Sequence, residues 1–134
     1  MAPWTLTDIA AALRTGWAAD TCSPDDMLRS PWSPDNPAWG HCDITALVIH
    51  DIFGGDLVLG DVHLVGRPVG HHWWNRLPNG VEIDLTREQF RHGQTISRPR
   101  AVPRPPGPPR RRREAYRLLR ARVADCIGPL PVAA

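Results

Sequence analysis

Proline placement constrains this chain more than any other feature. Fifteen of its 134 residues are proline, four of them between Pro24 and Pro37 and six between Pro99 and Pro109. Proline offers no backbone N–H and clashes with the preceding turn, so neither stretch sustains a long helix or a central strand. Regular structure is therefore expected before residue 20, between residues 40 and 97, and after residue 113.

Before the first proline stretch, residues 5 to 19 offer Thr5 or Thr7 as a cap and Asp8 in the first turn. Ile9, Ala12, Leu13 and Trp17 follow at helical spacing, which predicts an amphipathic helix. Residues 20 to 39 read as loop, with room for one short turn opened by Pro24. Asp43 to Phe53 carries Ile44, Leu47, Val48, Ile49 and Ile52 and ends at Gly54-Gly55, the pattern of a buried helix with a glycine stop. Asp56 to Val65 alternates as a strand does, and Gly60-Asp61 marks a place where it can split into a hairpin. His71 to Leu77 and Val81 to Leu85 flank Pro78-Asn79-Gly80, a hairpin signal, after which Thr86 caps a short turn from Arg87 to Phe90.

Residues 98 to 113 alternate proline with arginine and end in Arg110 to Arg113, predicting an extended, polyproline-like connector. Helical spacing resumes from Glu114 to Ile127, with Tyr116, Leu118, Leu119 and Val123 on one face. The expectation is one α+β domain over residues 1–134, in which a helix packs on a small antiparallel sheet.

Composition narrows the classes. Hydrophobic residues make up 42% and charged residues 22%, the balance of a soluble globule. No apolar run approaches the roughly 18 residues that span a bilayer. The opening Met-Ala-Pro-Trp-Thr lacks the basic and apolar regions of a secretion signal, so a cytoplasmic location with no membrane contact is expected. All sixteen basic residues are arginine and the net charge is +2. The Arg110–Arg113 cluster has no interleaved aromatics and sits on a proline-rich connector, so it reads as solvated linker and no nucleic-acid partner is expected. Cys22, Cys42 and Cys126 are odd in number and unrelated in spacing, which argues against a disulfide framework and a C-x-x-C metal site.

At least one thiol is then free, and Cys42 is the candidate. It follows Gly40-His41 at the start of the buried helix, where orphan amides and the helix dipole favour a thiolate. A three-residue Pro78-Asn79-Gly80 loop would set Arg76 opposite Glu82 and Trp74 opposite Asp84. His72 and Asp84 then become diagonal neighbours on one face, within side-chain reach. Helix-start Cys42, strand His72 and next-strand Asp84 form the set that nucleophilic thiol catalysis uses: nucleophile, base and orienting carboxylate. An oxyanion donor could come from the Cys42 N–H and an indole N–H of Trp39, Trp73 or Trp74. A zinc site built from His41, Cys42, His50, His63, His71, His72 and Asp84 lacks ligand spacing, and no metal or other cofactor is expected.

The segments Gly40-His41-Cys42-Asp43-Ile44-Thr45-Ala46-Leu47, Phe53-Gly54-Gly55, His72-Trp73-Trp74-Asn75-Arg76-Leu77 and Glu82-Ile83-Asp84-Leu85-Thr86 through Gln89-Phe90 resemble the YunG-like family of small bacterial proteins. The resemblance covers about residues 4 to 125. The order of Cys, His and Asp further resembles the transglutaminase-like branch of papain-fold enzymes. That implies a papain/transglutaminase-like core, a cysteine hydrolase or acyltransferase, and an acyl, amide or thioester substrate. The family usually carries Gln directly before the Cys, where this chain has His41, so His41 joins Trp39 and Trp74 (the indole that strand parity puts on the catalytic face) as the expected substrate or oxyanion contacts. The alternative is a binding or accessory protein that keeps the fold without turnover.

Overall fold

The hairpin around Pro78-Asn79-Gly80 organises the sheet. The computed structural model describes residues 4–91 and 93–132. Its strands are β1 (Asp56–Leu64), β2 (Arg67–Arg76), β3 (Glu82–Ile83) and β4 (Thr95–Val102). They form an antiparallel sheet in the order β3-β2-β1-β4. Its helices are α1 (Leu6–Gly16), α2 (Pro24–Arg29), α3 (Cys42–Phe53) and α4 (Arg113–Ile127). The class is α+β.

Local chemistry explains the helix ends. The Thr5 hydroxyl accepts the Asp8 N–H at 3.1 Å while the Asp8 carboxylate accepts the Thr5 N–H at 3.0 Å, a capping box that starts α1. α3 stops at Gly54, whose φ of 74° disfavours any residue with a Cβ. The core lies among α1, α3 and α4, where Ile9, Leu13, Ile44, Val48, Ile49 and Leu119 are at most 1% exposed. Each such side chain contributes about 1.5–3 kcal/mol of burial, enough to hold the short α1 against α4, and α3 against α4 and the sheet. Asn75 of β2 ties the layers together by donating to the Ala46 carbonyl of α3 at 2.9 Å.

Several expectations need correction. β1 is not split at Gly60; the turn comes at Val65-Gly66. Gly60 instead makes room for a neighbour, since a Cβ there would lie 2.9 Å from the Trp74 ring and 2.6 Å from Ile96 Cγ2. β2 begins at Arg67, well before His71, and β3 ends at Ile83, short of Leu85. The expected connector at 98–113 is only partly a connector. Its first residues belong to β4, which pairs with β1 at the sheet edge, where a strand proline such as Pro99 is tolerated. Arg98 takes a φ of 54° where the β1–β4 register shifts between Leu59 and Asp61.

Residues 103–112 lack regular structure but are anchored. Arg104 is 5% exposed along its side chain and pairs with the fully buried Asp51 at 2.8 Å. Arg120 of α4 pairs with the same carboxylate at 2.5 Å. Among the described residues no helix is long and apolar enough to cross a membrane.

Candidate functional site

The hairpin adopts the register of the three-residue loop: Arg76 pairs with Glu82, Asn75 with Ile83, and the Leu77 N–H donates to the Val81 carbonyl at 2.8 Å. His72 and Asp84 thereby share a face, and His72 Nε2 lies 2.6 Å from Asp84 Oδ2. The other Asp84 oxygen accepts from the Thr86 N–H at 3.3 Å and the Thr86 hydroxyl at 3.4 Å, which fixes the carboxylate's orientation. The His72 ring is fully buried, stacked on Trp74 at 5.6 Å and met edge-on by Phe90 at 4.8 Å.

This arrangement sets the tautomer. A carboxylate only accepts, so Nε2 carries the proton and Nδ1 of the neutral ring keeps its lone pair. His72 Nδ1 is buried and has no hydrogen-bond partner. Buried polar atoms are rarely left so, and those that are often belong to sites awaiting a proton or a ligand.

Cys42 opens α3, so its N–H is one of the helix's orphan donors. β3 leaves β2 after Ile83. In an antiparallel ladder alternate residues turn their N–H to the same edge, and Leu77, Asn75 and Trp73 share the β3 edge of β2. At Trp73 the strand partner has gone, and the Trp73 backbone N–H faces the Cys42 sulfur instead. The nucleophile candidate therefore abuts the strand at the residue after His72.

The thiol's ionisation differs from the expectation. Burial pushes the Cys42 thiol up, and the carboxylates of Asp43, Asp26 and Asp84 add to this, opposed by the Trp73 N–H. At this half-buried sulfur the nearby acids and desolvation outweigh the amides of the helix start, so the resting form is the neutral thiol.

The three expected substrate contacts hold hydrogen bonds within the protein. His41 is fully buried. Its Nδ1 lies 2.8 Å from the Trp39 carbonyl and its Nε2 2.7 Å from the Thr21 hydroxyl. Burial lowers its pKa to about 4, so the ring is neutral: Nδ1 donates to Trp39 and Nε2 accepts from Thr21. The Trp39 indole donates to the Ser30 carbonyl at 3.0 Å and the Trp74 indole to Glu82 at 2.6 Å. All three have spent their donors on the protein itself. Trp39 still walls a cavity beside Cys42, and Trp74 still packs on His72.

Two contributors were not among the expected site residues. Arg112, placed in the expected solvated cluster, donates to the Gly40 and Thr21 carbonyls at 3.0 and 2.8 Å and pairs with Asp43 at 3.0 Å. It clamps the loop that presents Cys42. Thr86, expected as a cap and as part of the resemblance beside Asp84, serves that carboxylate with its hydroxyl and N–H. Arg-run composition conceals the first, while the Asp-x-Thr spacing of Asp84 and Thr86 signals the second. Cys22 is buried and Cys126 exposed, both as free thiols. Among the described residues no three His, Cys, Asp or Glu side chains gather as metal ligands would.

An α+β fold carrying a buried His–Asp pair on a hairpin, beside a cysteine at a helix start, defines the class. The family model described as "YunG protein" matches residues 5–128, and the chain belongs to that family. A curated relative, described as "Uncharacterized protein YunG" of Bacillus subtilis (strain 168), is 41% identical over 61 residues. The match covers 46% of this chain and 48% of the relative, so it spans about half the length of that protein. No solved structure matches.

Proposed function

We propose that this protein performs thiol-dependent acyl chemistry on an amide or thioester, within a papain/transglutaminase-like core, through a covalent acyl-enzyme on Cys42. The observation that carries the reading is the His72 ring: Asp84 holds Nε2 at 2.6 Å and leaves the buried Nδ1 as an unpaired base, one residue from the N–H that faces the sulfur. Because the thiol rests in its neutral form, the proton leaves Sγ for His72 Nδ1 as sulfur attacks the acyl carbon, and no ion pair forms beforehand. Asp84 supports the imidazolium, and His72 then returns the proton to the leaving group. The Cys42 N–H at the helix start is the protein's first donor toward the developing oxyanion. Water as acceptor makes the reaction hydrolysis or deamidation; an amine makes it acyl transfer.

One observation favours a second reading, a binding protein without turnover: a thiol held neutral by burial and three carboxylates is a poor nucleophile unless a base engages it. The test is labelling by a small acyl thioester at pH 7.5, mapped by peptide mass on the native chain and on His72→Ala. Acylation confined to Cys42, and slowed at least about a hundredfold by the substitution, supports catalysis. No acylation of Cys42, or acylation indifferent to His72, leaves the binding protein.

A further inference from the structure

Cys42 stands where two cavities of opposite character meet. One, of about 350 Å³, has an apolar wall of Trp39, Val62, Leu64, Val69 and Phe90, with Ser30 and Gln89 among its polar lining. The other, of about 210 Å³, carries the carboxylates of Asp25, Asp26 and Asp43. Asp26, Arg29, Gly70 and His71 line both along with Cys42, so the thiol sits at their junction and neither cavity is remote from it. Taking the proposed acyl chemistry as its premise, we infer that the substrate class is an N-acyl amine whose apolar acyl arm fills the first cavity and whose cationic amine arm fills the second.

Size and charge both bear on this. At ~30 Å³ for each water-sized group, the cavity of about 350 Å³ has room for roughly a dozen carbons, so a six-carbon acyl chain fits inside it. Arg29 lines the acidic cavity and pairs with Asp26 at 3.4 Å, Arg112 pairs with Asp43 at 3.0 Å, and Asp25 is exposed with no ion pair among the described residues. With Arg29 on Asp26 and Arg112 on Asp43, the exposed Asp25 is the carboxylate left uncompensated, and the cavity keeps net negative charge facing the ligand. The carboxylates oppose one another: burial raises Asp26 above its ordinary value, and Asp43 and Asp25 raise it further. A bound cation relieves that repulsion. It also offsets the field of Asp26 and Asp43 that keeps the Cys42 proton in place, so nucleophile and substrate charge are coupled. The chemistry balances: the Sγ–acyl bond forms as the C–N bond breaks, and the thiol proton passes through His72 to the departing amine. Water then cleaves the thioester, returning the thiol and releasing a carboxylic acid.

The experiment compares three amides on the native chain: N-hexanoyl-1,4-diaminobutane, its neutral isostere N-hexanoylpentylamine, and N-acetyl-1,4-diaminobutane. Amine release gives kcat/KM for each. The expected result is at least a tenfold preference for the cationic over the neutral amide and for hexanoyl over acetyl. The charge preference should fall to within twofold in Asp25→Asn/Asp26→Asn, and the chain-length preference should vanish in Val69→Trp, which fills the apolar cavity. Asp25→Asn alone, at an exposed position, should lower the charge preference if the double variant does not fold. No preference among the three amides, or preferences these variants leave unmoved, overturns the inference. If thioester labelling of Cys42 persists in that case, the acyl chemistry survives; if labelling also fails, both fall together.

Discussion

Replacing His41 with Gln should change how stability depends on acid. The neutral His41 ring is fully buried, with Nδ1 donating to the Trp39 carbonyl and Nε2 accepting from Thr21. Burial holds its pKa near 4, against an unfolded value of 6.5. Between those values the unfolded chain takes up the proton that the folded chain refuses, so folding loses free energy as pH falls. Each unit is worth 1.36 kcal/mol, so the difference of about 2.5 units amounts to roughly 3 kcal/mol. That stability is present above pH 6.5 and lost as pH falls toward 4. A Gln side chain can donate its amide N–H to the Trp39 carbonyl and accept from Thr21, without a proton to gain. Urea unfolding of the native chain and His41→Gln at pH 7.5, 5.5 and 4.5 isolates the effect, because the other titrating groups cancel in the difference. The native chain should lose about 2.5 kcal/mol more than the variant across that range, which stops just short of the folded pKa. A difference that stays flat with pH would refute the reasoning and mean that His41 is protonated in the folded chain.

Two further outcomes follow from buried groups elsewhere. Arg104→Met should cost about 3 kcal/mol in urea unfolding, the low end for breaking a buried ion pair, because Arg120 still holds the Asp51 carboxylate; a loss under 1 kcal/mol would mean that residues 103–112 are not anchored there. Burial pushes the Cys22 thiol up to about 11. Iodoacetamide at pH 7.5 should therefore label the exposed Cys126 first and reach Cys22 only once urea unfolds the chain, and early labelling of Cys22 would count against its burial.

The sequence disclosed the parts of the site that obey short-range rules. A turn with Gly80 in the left-handed region and an Arg76–Glu82 charge pair determine a register, and the register alone brings His72 to Asp84. The cysteine at the helix start was legible for the same reason, since Gly54-Gly55 and the apolar spacing bound α3 from within. What the sequence withheld depends on where distant segments meet. Whether the Cys42 sulfur is a thiolate turns on β3 leaving β2 after Ile83 and on carboxylates at positions 26, 43 and 84, and no local pattern joins those three. The Pro/Arg block misled in the same way. Read as composition it is solvated linker, yet its early residues pair with β1, while Arg104 and Arg112 reach Asp51 and Asp43, more than fifty residues upstream. An arginine is a solvated charge or a structural clamp according to whether a carboxylate or carbonyl waits where the fold delivers it. The same holds for the indoles of Trp39 and Trp74, which could serve an oxyanion by type and are bound to Ser30 and Glu82 by placement. Residue type supplied the candidates for this site; the donors and lone pairs left unspent decide which of them can act, and at His72 the unspent atom is Nδ1.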